Sequence, residues 1–190
     1  MRDLAQHITD LFENSVRARA RRVTIEIDQQ QMTDTLMLRV TDDGCGMPPE
    51  VIARVTDPFF TSRTYRRVGL GLPLLEASAR RCDGRLVVES EAGRGTVVEA
   101  TFRLSHIDIP PLGDLGTTLI CAVVGHPELE VLYRHAIDGR VFELDSAAIR
   151  SGLGGVSLSH PFVIRWLERH ISEGLVSTGA IAPREEEADA

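Results

Sequence analysis

The sequence predicts an α+β protein, a two-layer α/β sandwich with helices on one face of a mixed sheet and a small α/β extension behind it. Three observations predict this. Two pairs of alternating segments, 23–27 with 36–40 and 85–91 with 96–104, have the period of half-buried strands. Helically spaced segments flank them at 4–16 and 72–82. The resulting order, helix–strand–strand–helix–helix–strand–strand, suits helices layered on a single sheet face.

The elements follow in order. Leu4, Ile8, Leu11 and Val16 form the apolar stripe of a first helix. Residues 29–35 are polar and connect the first two strands. Gly44 and Gly46 make a glycine-rich turn, and 49–55 reads as a short helix. Residues 57–71 read as loop, with Pro58, Thr61, Ser62 and three arginines. Gly84 suits the C-terminal cap of the 72–82 helix. Gly93 and Gly95 turn the second strand pair.

Pro110-Pro111 restrict the chain and mark a boundary near 107–111. This gives a domain over 1–105, an α/β extension over 106–180, and a disordered Ala-, Pro- and Glu-rich tail over 181–190. Within the extension, 115–124 is an apolar helix. Residues 131–135 and 141–144 form a hairpin around Asp138-Gly139, and Pro161 opens a last helix over 162–171.

Composition excludes several classes. The 190 residues carry a net charge of -7, which favours neither nucleic acid nor an anionic membrane as a partner. With 43% hydrophobic but only 5% aromatic residues, the core must be aliphatic. The three cysteines, Cys45, Cys82 and Cys121, form no CxxC pair and read as reduced thiols of a cytoplasmic protein. No leader or membrane-length apolar run stands out.

Four segments carry chemistry. Asp10 and Asn14 share a helix face, and an amide oxygen beside a carboxylate suits Mg²⁺. Asp42-Asp-Gly-Cys-Gly46 follows a strand. An Asp there can accept from an exocyclic amine, while the glycines allow close backbone approach. Asp57-Pro-Phe-Phe-Thr61 leads into Arg63, Arg66 and Arg67, as a hinge leads into a basic lid. Gly69-Leu70-Gly71 opens a helix, where backbone amides attract anions. Each also has an ordinary reading: a solvated helix face, an acidic turn, core aromatics, a simple glycine turn.

In this order the four resemble the GHKL, or Bergerat-fold, ATPases: gyrase-type topoisomerases, ninety-kilodalton heat-shock chaperones, histidine kinases and mismatch-repair ATPases. Asp10 to Asn14 resembles the N box, Asp42 to Gly46 the G1 box, Asp57 to Thr61 the F box and Gly69 to Gly71 the G2 box. Gly93-Arg-Gly-Thr96 resembles the final Gly-Thr element. No GxxxxGK[ST] is present, so this is not a P-loop protein.

The resemblance implies ATP and Mg²⁺ as cofactors. Asn14 would bind Mg²⁺, and Asp42 would bond the adenine amine with Gly44 and Gly46 passing close to the base. Arg63, Arg67, Gly69, Leu70 and Gly71 would hold phosphate. Thr96 would support Asp42 through water. Asp10 would be the general base, on a side chain one methylene shorter than the more usual Glu. Glu13 is the alternative base, but it lies one helical step off the face of Asn14, and its ordinary reading is a pair with Arg17. Arg67 stands where the G2 pattern has its first glycine, so the lid should be shaped differently. Pro73 resembles the Gly-Leu-Pro of mitochondrial dehydrogenase kinases.

Sensor kinases usually place Asn where Asp10 stands, while mismatch-repair ATPases and anti-sigma serine kinases place an acid. The expectation is a stand-alone protein without the dimerisation and phosphoacceptor domain of the histidine kinases, and His7 is expected on the same helix as Asn14. Slow hydrolysis, phosphoryl transfer to a protein partner, and nucleotide gating without turnover all stand as expectations. A homodimer is an option. His106, His126, His135, His160 and His170 lack metal-ligand spacing, and 106–190 match no motif.

Overall fold

A computed structural model describes residues 3–56 and 71–182. Four candidate site residues, Arg63, Arg67, Gly69 and Leu70, lie outside the described residues, as do the 57–61 segment and 183–190 of the tail.

The elements are α1 (Leu4–Arg17), β1 (Arg22–Gln30), β2 (Thr35–Asp42), α2 (Pro49–Ile52), α3 (Gly71–Arg81), β3 (Arg85–Glu91), β4 (Gly95–Arg103), α4 (Leu115–Gly125), β5 (Glu130–Ile137), β6 (Arg140–Asp145), α5 (Ser146–Gly152) and α6 (Pro161–Thr178). The strands form one six-stranded sheet in the order β3-β4-β2-β1-β5-β6. Its pairings are antiparallel except β1 with β5, which are parallel, so the sheet is mixed. Strands on both sides of the Pro110-Pro111 boundary therefore share one sheet.

Alternation decides which face is covered. Val88, Val98, Val40, Ile25, Tyr133 and Leu144 lie side by side in one row across all six strands. The next row is Leu86, Ala100, Leu38, Ile27, His135 and Phe142. Both rows are buried from β4 to β6, and Val88 and Leu86 on β3 are half-buried against the core. Burying each large aliphatic or aromatic side chain contributes about 1.5–3 kcal/mol. The other face is polar. There Arg39 bridges Glu26 and Glu99 on the flanking strands, at 3.6 and 2.5 Å.

Helices cover the apolar face in a layer. From one edge to the other, α3 packs on β3 and β4, α1 on β1 and β2, α4 on β5, and α6 on β5 and β6. Asp3 caps α1 by accepting from the Gln6 amide at 2.8 Å. The amides of Leu4 and Ala5 donate to the carbonyls of Pro111 and Leu112. The 106–114 segment thereby satisfies donors that a helix start leaves open.

Three local features differ from expectation. The left-handed residue after α3 is Asp83, with φ +54°, not Gly84. Glycine is needed at 84 for space, since a Cβ there would lie 1.7 Å from the Thr101 carbonyl oxygen. α6 continues to Thr178, well beyond residue 171, and stops at Gly179 with φ +84°. Gly174 does not break it, because that glycine makes room for the Phe142 ring, which a Cβ would meet at 2.1 Å. α5 was not expected. It is only seven residues long, and the Asp145 carboxylate caps it through the amides of Ala147 and Ala148. The Asp138-Gly139 hairpin is as expected, both residues having positive φ.

His135 is completely buried on β5. Its Nδ1 shares a 2.7 Å hydrogen bond with the Tyr133 hydroxyl, and its Nε2 lies 3.3 Å from Gln29 Nε2. Burial pushes its pKa down to about 4, against a weaker opposing pull from Asp28. An unfolded chain would protonate near 6.5, so between those values the unfolded state holds the extra proton. Stability is then fully present above about pH 6.5 and is lost as pH falls through 4. The expected total is about 3 kcal/mol. Thermal melts of wild type and His135→Gln between pH 7 and 4.5 should show a smaller drop for the variant; parallel drops would exclude His135 as the cause.

Candidate functional site

At one end of the covered face the apolar rows give way to a polar one. Ser90, Thr96 and Asp42 lie opposite one another on β3, β4 and β2. They have the same parity as Val88, Val98 and Val40, so they face the helix layer.

Asp42 is held on both oxygens. Oδ2 accepts from the Ser15 hydroxyl at 2.9 Å, and Oδ1 accepts from the Gly44 amide at 2.9 Å. Ser15 is buried on α1, so this bond ties the end of β2 to the helix. Its neighbour Asp43 serves the backbone, accepting from the amides of Arg21 and Arg22 at 2.7 and 2.8 Å. Burial raises the Asp43 pKa, but those amides outweigh it and hold the carboxyl below its usual range. The two adjacent carboxylates are thus divided: Asp42 faces the helix layer and Asp43 locks the start of β1.

The glycine-rich turn is pressed between α1 and the β3–β4 turn. The Cys45 amide donates to Ala18 at 2.8 Å, and the Gly93 amide donates to Cys45 at 2.8 Å. Gly44 has no room for a side chain, since a Cβ would meet Ala18 Cβ at 2.6 Å. Gly46 has φ +62°, and a Cβ there would lie 2.0 Å from the Glu91 carbonyl oxygen. Gly95, with φ +108°, meets the Asp42 backbone in the same way, at 1.9 Å.

Asp10 and Asn14 stand one turn apart on α1. Gly71, the first described residue of α3, abuts Asp10. A Cβ on it would lie 3.3 Å from Asp10 Cβ and 3.5 Å from Oδ2. Asn14 is exposed, and its Oδ1 accepts from Arg17 Nη1 at 3.1 Å. The same guanidinium reaches Glu13 at 3.4 Å. That exposed pair adds little stability, so Arg17 can change partners at small cost. His7, on the same helix, is buried.

The fold therefore gathers Asp10, Asn14, Asp42, Gly44, Gly46, Gly71 and Thr96 around α1 and one end of the sheet. Sequence reasoning missed three participants. Ser15 directly follows Asn14 but faces the sheet. Arg17 lies three residues beyond Asn14, which was visible as helical spacing. Ser90 is a polar residue at a core-face position of β3, and that parity was the available signal.

The family model for histidine kinase-, DNA gyrase B- and HSP90-like ATPases matches residues 1–106. The chain belongs to that family. Its nucleotide domain is thus of the histidine kinase-like, ATP-binding type. Similar proteins include sporulation kinase C of Bacillus subtilis, 30% identical over 101 residues (53% of this chain and 23% of that protein). The sensor protein kinase FleS of Pseudomonas aeruginosa is 38% identical over 105 residues, 55% and 25% of the two chains. The sensor histidine kinase ZraS of Salmonella typhimurium is 30% identical over 95 residues, 50% and 20%. The matched part spans a quarter or less of each relative. Among the described residues no helix is long and apolar enough to cross a membrane.

Gly46 and Gly93 offer a matched test of the packed turn. Both have positive φ, but a Cβ on Gly93 would meet nothing within 4 Å. Gly46→Ala should lower the unfolding free energy by at least about 2 kcal/mol more than Gly93→Ala does. Urea denaturation of the two variants measures this, and equal losses would mean that the contact with Glu91 yields freely.

Proposed function

We propose that this chain binds Mg-ATP at the α1 end of the sheet and turns it over slowly, by hydrolysis or by phosphoryl transfer to a partner protein. The observation that carries the reading is Asp42, fixed on both oxygens beside Thr96 in the polar row that ends the covered face. A carboxylate held in this way accepts from an exocyclic amine and repels a carbonyl oxygen, which selects adenine over guanine. The compressed Gly44–Gly46 turn lets backbone pass close to a flat base, and Thr96 supports the contact through water.

The phosphates would extend along α1 toward Asp10 and the start of α3. Gly71 would supply an amide of the α3 N-terminus, and Gly69, Leu70, Arg63 and Arg67 are assigned to the phosphates from the sequence motif. Asn14 offers the hard oxygen suited to Mg²⁺, provided Arg17 lets go of it, and the exposure of Arg17 makes that exchange inexpensive. The ion, when bound, would neutralise charge on the phosphates. The displaced Arg17 is left one turn from the same site and free to face them.

Asp10 would act as general base. It would take the proton of water, or of a partner's hydroxyl or imidazole, as that nucleophile bonds to the γ-phosphorus and ADP leaves with the β–γ bridging oxygen. With a water nucleophile the product is inorganic phosphate; with a side chain it is a phosphorylated partner. A protein phosphoacceptor fits the kinase names of the relatives, and a homodimer remains an option for the assembly.

One observation favours a second reading, a nucleotide-gated interaction module without turnover. α1 carries Asp10 and Asn14 on one side and packs against α4 on another, where Ile8, Phe12, Cys121 and His126 line a groove. A change at Asn14 and Arg17 would reach that groove through Glu13, which also lines it.

Phosphate release and nucleotide binding separate the readings. Asp10→Asn should keep its ATP affinity within about threefold and lose phosphate release by about a hundredfold. ATP binding by both proteins with release by neither would favour gating. Undiminished ATP binding by Asp42→Asn would remove the adenine assignment altogether.

A further inference from the structure

The hydroxyl of Ser90 makes three contacts. It receives the Met47 amide at 2.8 Å, lies 2.8 Å from the Gly95 carbonyl oxygen, and lies 2.9 Å from Thr96 Oγ1. A serine hydroxyl has one proton and two lone pairs. A carbonyl oxygen has no proton to give, so Ser90 must donate to Gly95. The Met47 amide takes one lone pair. Only the second lone pair remains for Thr96, so Thr96 must donate its own proton to Ser90.

From this count we infer that Ser90 is a specificity-determining positioning residue, which locks Thr96 as a pure acceptor beside Asp42. The inference rests on the nucleotide reading above. Ser15 adds to the same polarity. Its single proton goes to the Asp42 carboxylate, the nearer of its two acceptors at 2.9 against 3.3 Å. The surface around the Asp42 carboxylate therefore presents lone pairs and no hydroxyl proton from Ser15, Ser90 or Thr96.

The consequence for a base is specific. A water lying between Thr96 and the ring must donate one hydrogen to Thr96, and its other hydrogen then seeks an acceptor. The N1 of adenine is an acceptor. Hypoxanthine carries a hydrogen on N1 and an oxo group in place of the amine, so it opposes the locked water at one position and Asp42 at the other. Ser90 thus acts on purine choice without touching the purine, through the direction of one proton. Removing its oxygen frees the Thr96 proton, lets the water turn, and tolerates the N1 hydrogen.

The test is the ratio of ATP to ITP affinity, measured by titration calorimetry on the full chain. Wild type should prefer ATP. Ser90→Ala should lower that preference by about tenfold, chiefly by strengthening ITP relative to ATP. Ser90→Thr keeps the hydroxyl and should keep the wild-type ratio. A merely structural serine would weaken both nucleotides together and leave the ratio unchanged, and that result overturns the inference. If Ser90→Ala does not fold, Ser90→Cys replaces it, because a thiol is a weak acceptor and the same fall is expected. Wild type binding neither nucleotide would remove the nucleotide reading itself, and this inference with it. ATP binding with an unchanged ratio removes only the role of Ser90.

Discussion

A one-residue slip of β2 between β1 and β4 would turn Leu36, Leu38 and Val40 out to solvent and carry Asp42 away from Thr96 and Ser15. The register is held from both faces. On the covered face, two rows run from β3 to β6, apolar at every position except the buried His135. On the open face, Arg39 is caught between Glu26 and Glu99, a pairing that any slip would break. Core packing and site assembly are therefore one constraint, because the polar row of Ser90, Thr96 and Asp42 is simply the next row in the same register.

α1 converts that register into a site. Its apolar stripe lies on β1 and β2, which brings Ser15 to Asp42 and leaves Asp10 and Asn14 on the flank toward α3. The same helix takes its first backbone bonds from Pro111 and Leu112 and packs against α4. The later half of the chain therefore supports the element that carries the site residues. Its strand β5 lies beside β1 in the same sheet, so it is part of the scaffold behind α1. This gives the α1–α4 contact a physical route to the proposed nucleotide end, through Glu13, Arg17 and Asn14.

Much of this was legible in the sequence because it depends on local spacing. The helical stripe of α1, the alternation of β1 to β4, the Asp138-Gly139 turn and the grouping of Asp10 with Asn14 need only neighbouring residues. What failed to show were features set by distant contacts. Gly174 looks like a place to end a helix, yet it serves as a slot for Phe142. Gly84 looks like a left-handed cap, yet Asp83 takes that conformation while Gly84 yields to Thr101. α5 is too short for periodicity to reveal, and its cap depends on one aspartate at the end of β6.

The sequence by itself determined the family, the class of fold and most of the candidate residues, since ordered motifs and side-chain periodicity survive without coordinates. Tertiary structure decided which of Asp42 and Asp43 faces the helix layer, because that turns on strand parity and on the amides of Arg21 and Arg22. It also decided the parts played by Ser15 and Ser90. A hydroxyl's role depends on where its single proton goes, and that is settled only when partners from different strands and helices stand within hydrogen-bond reach.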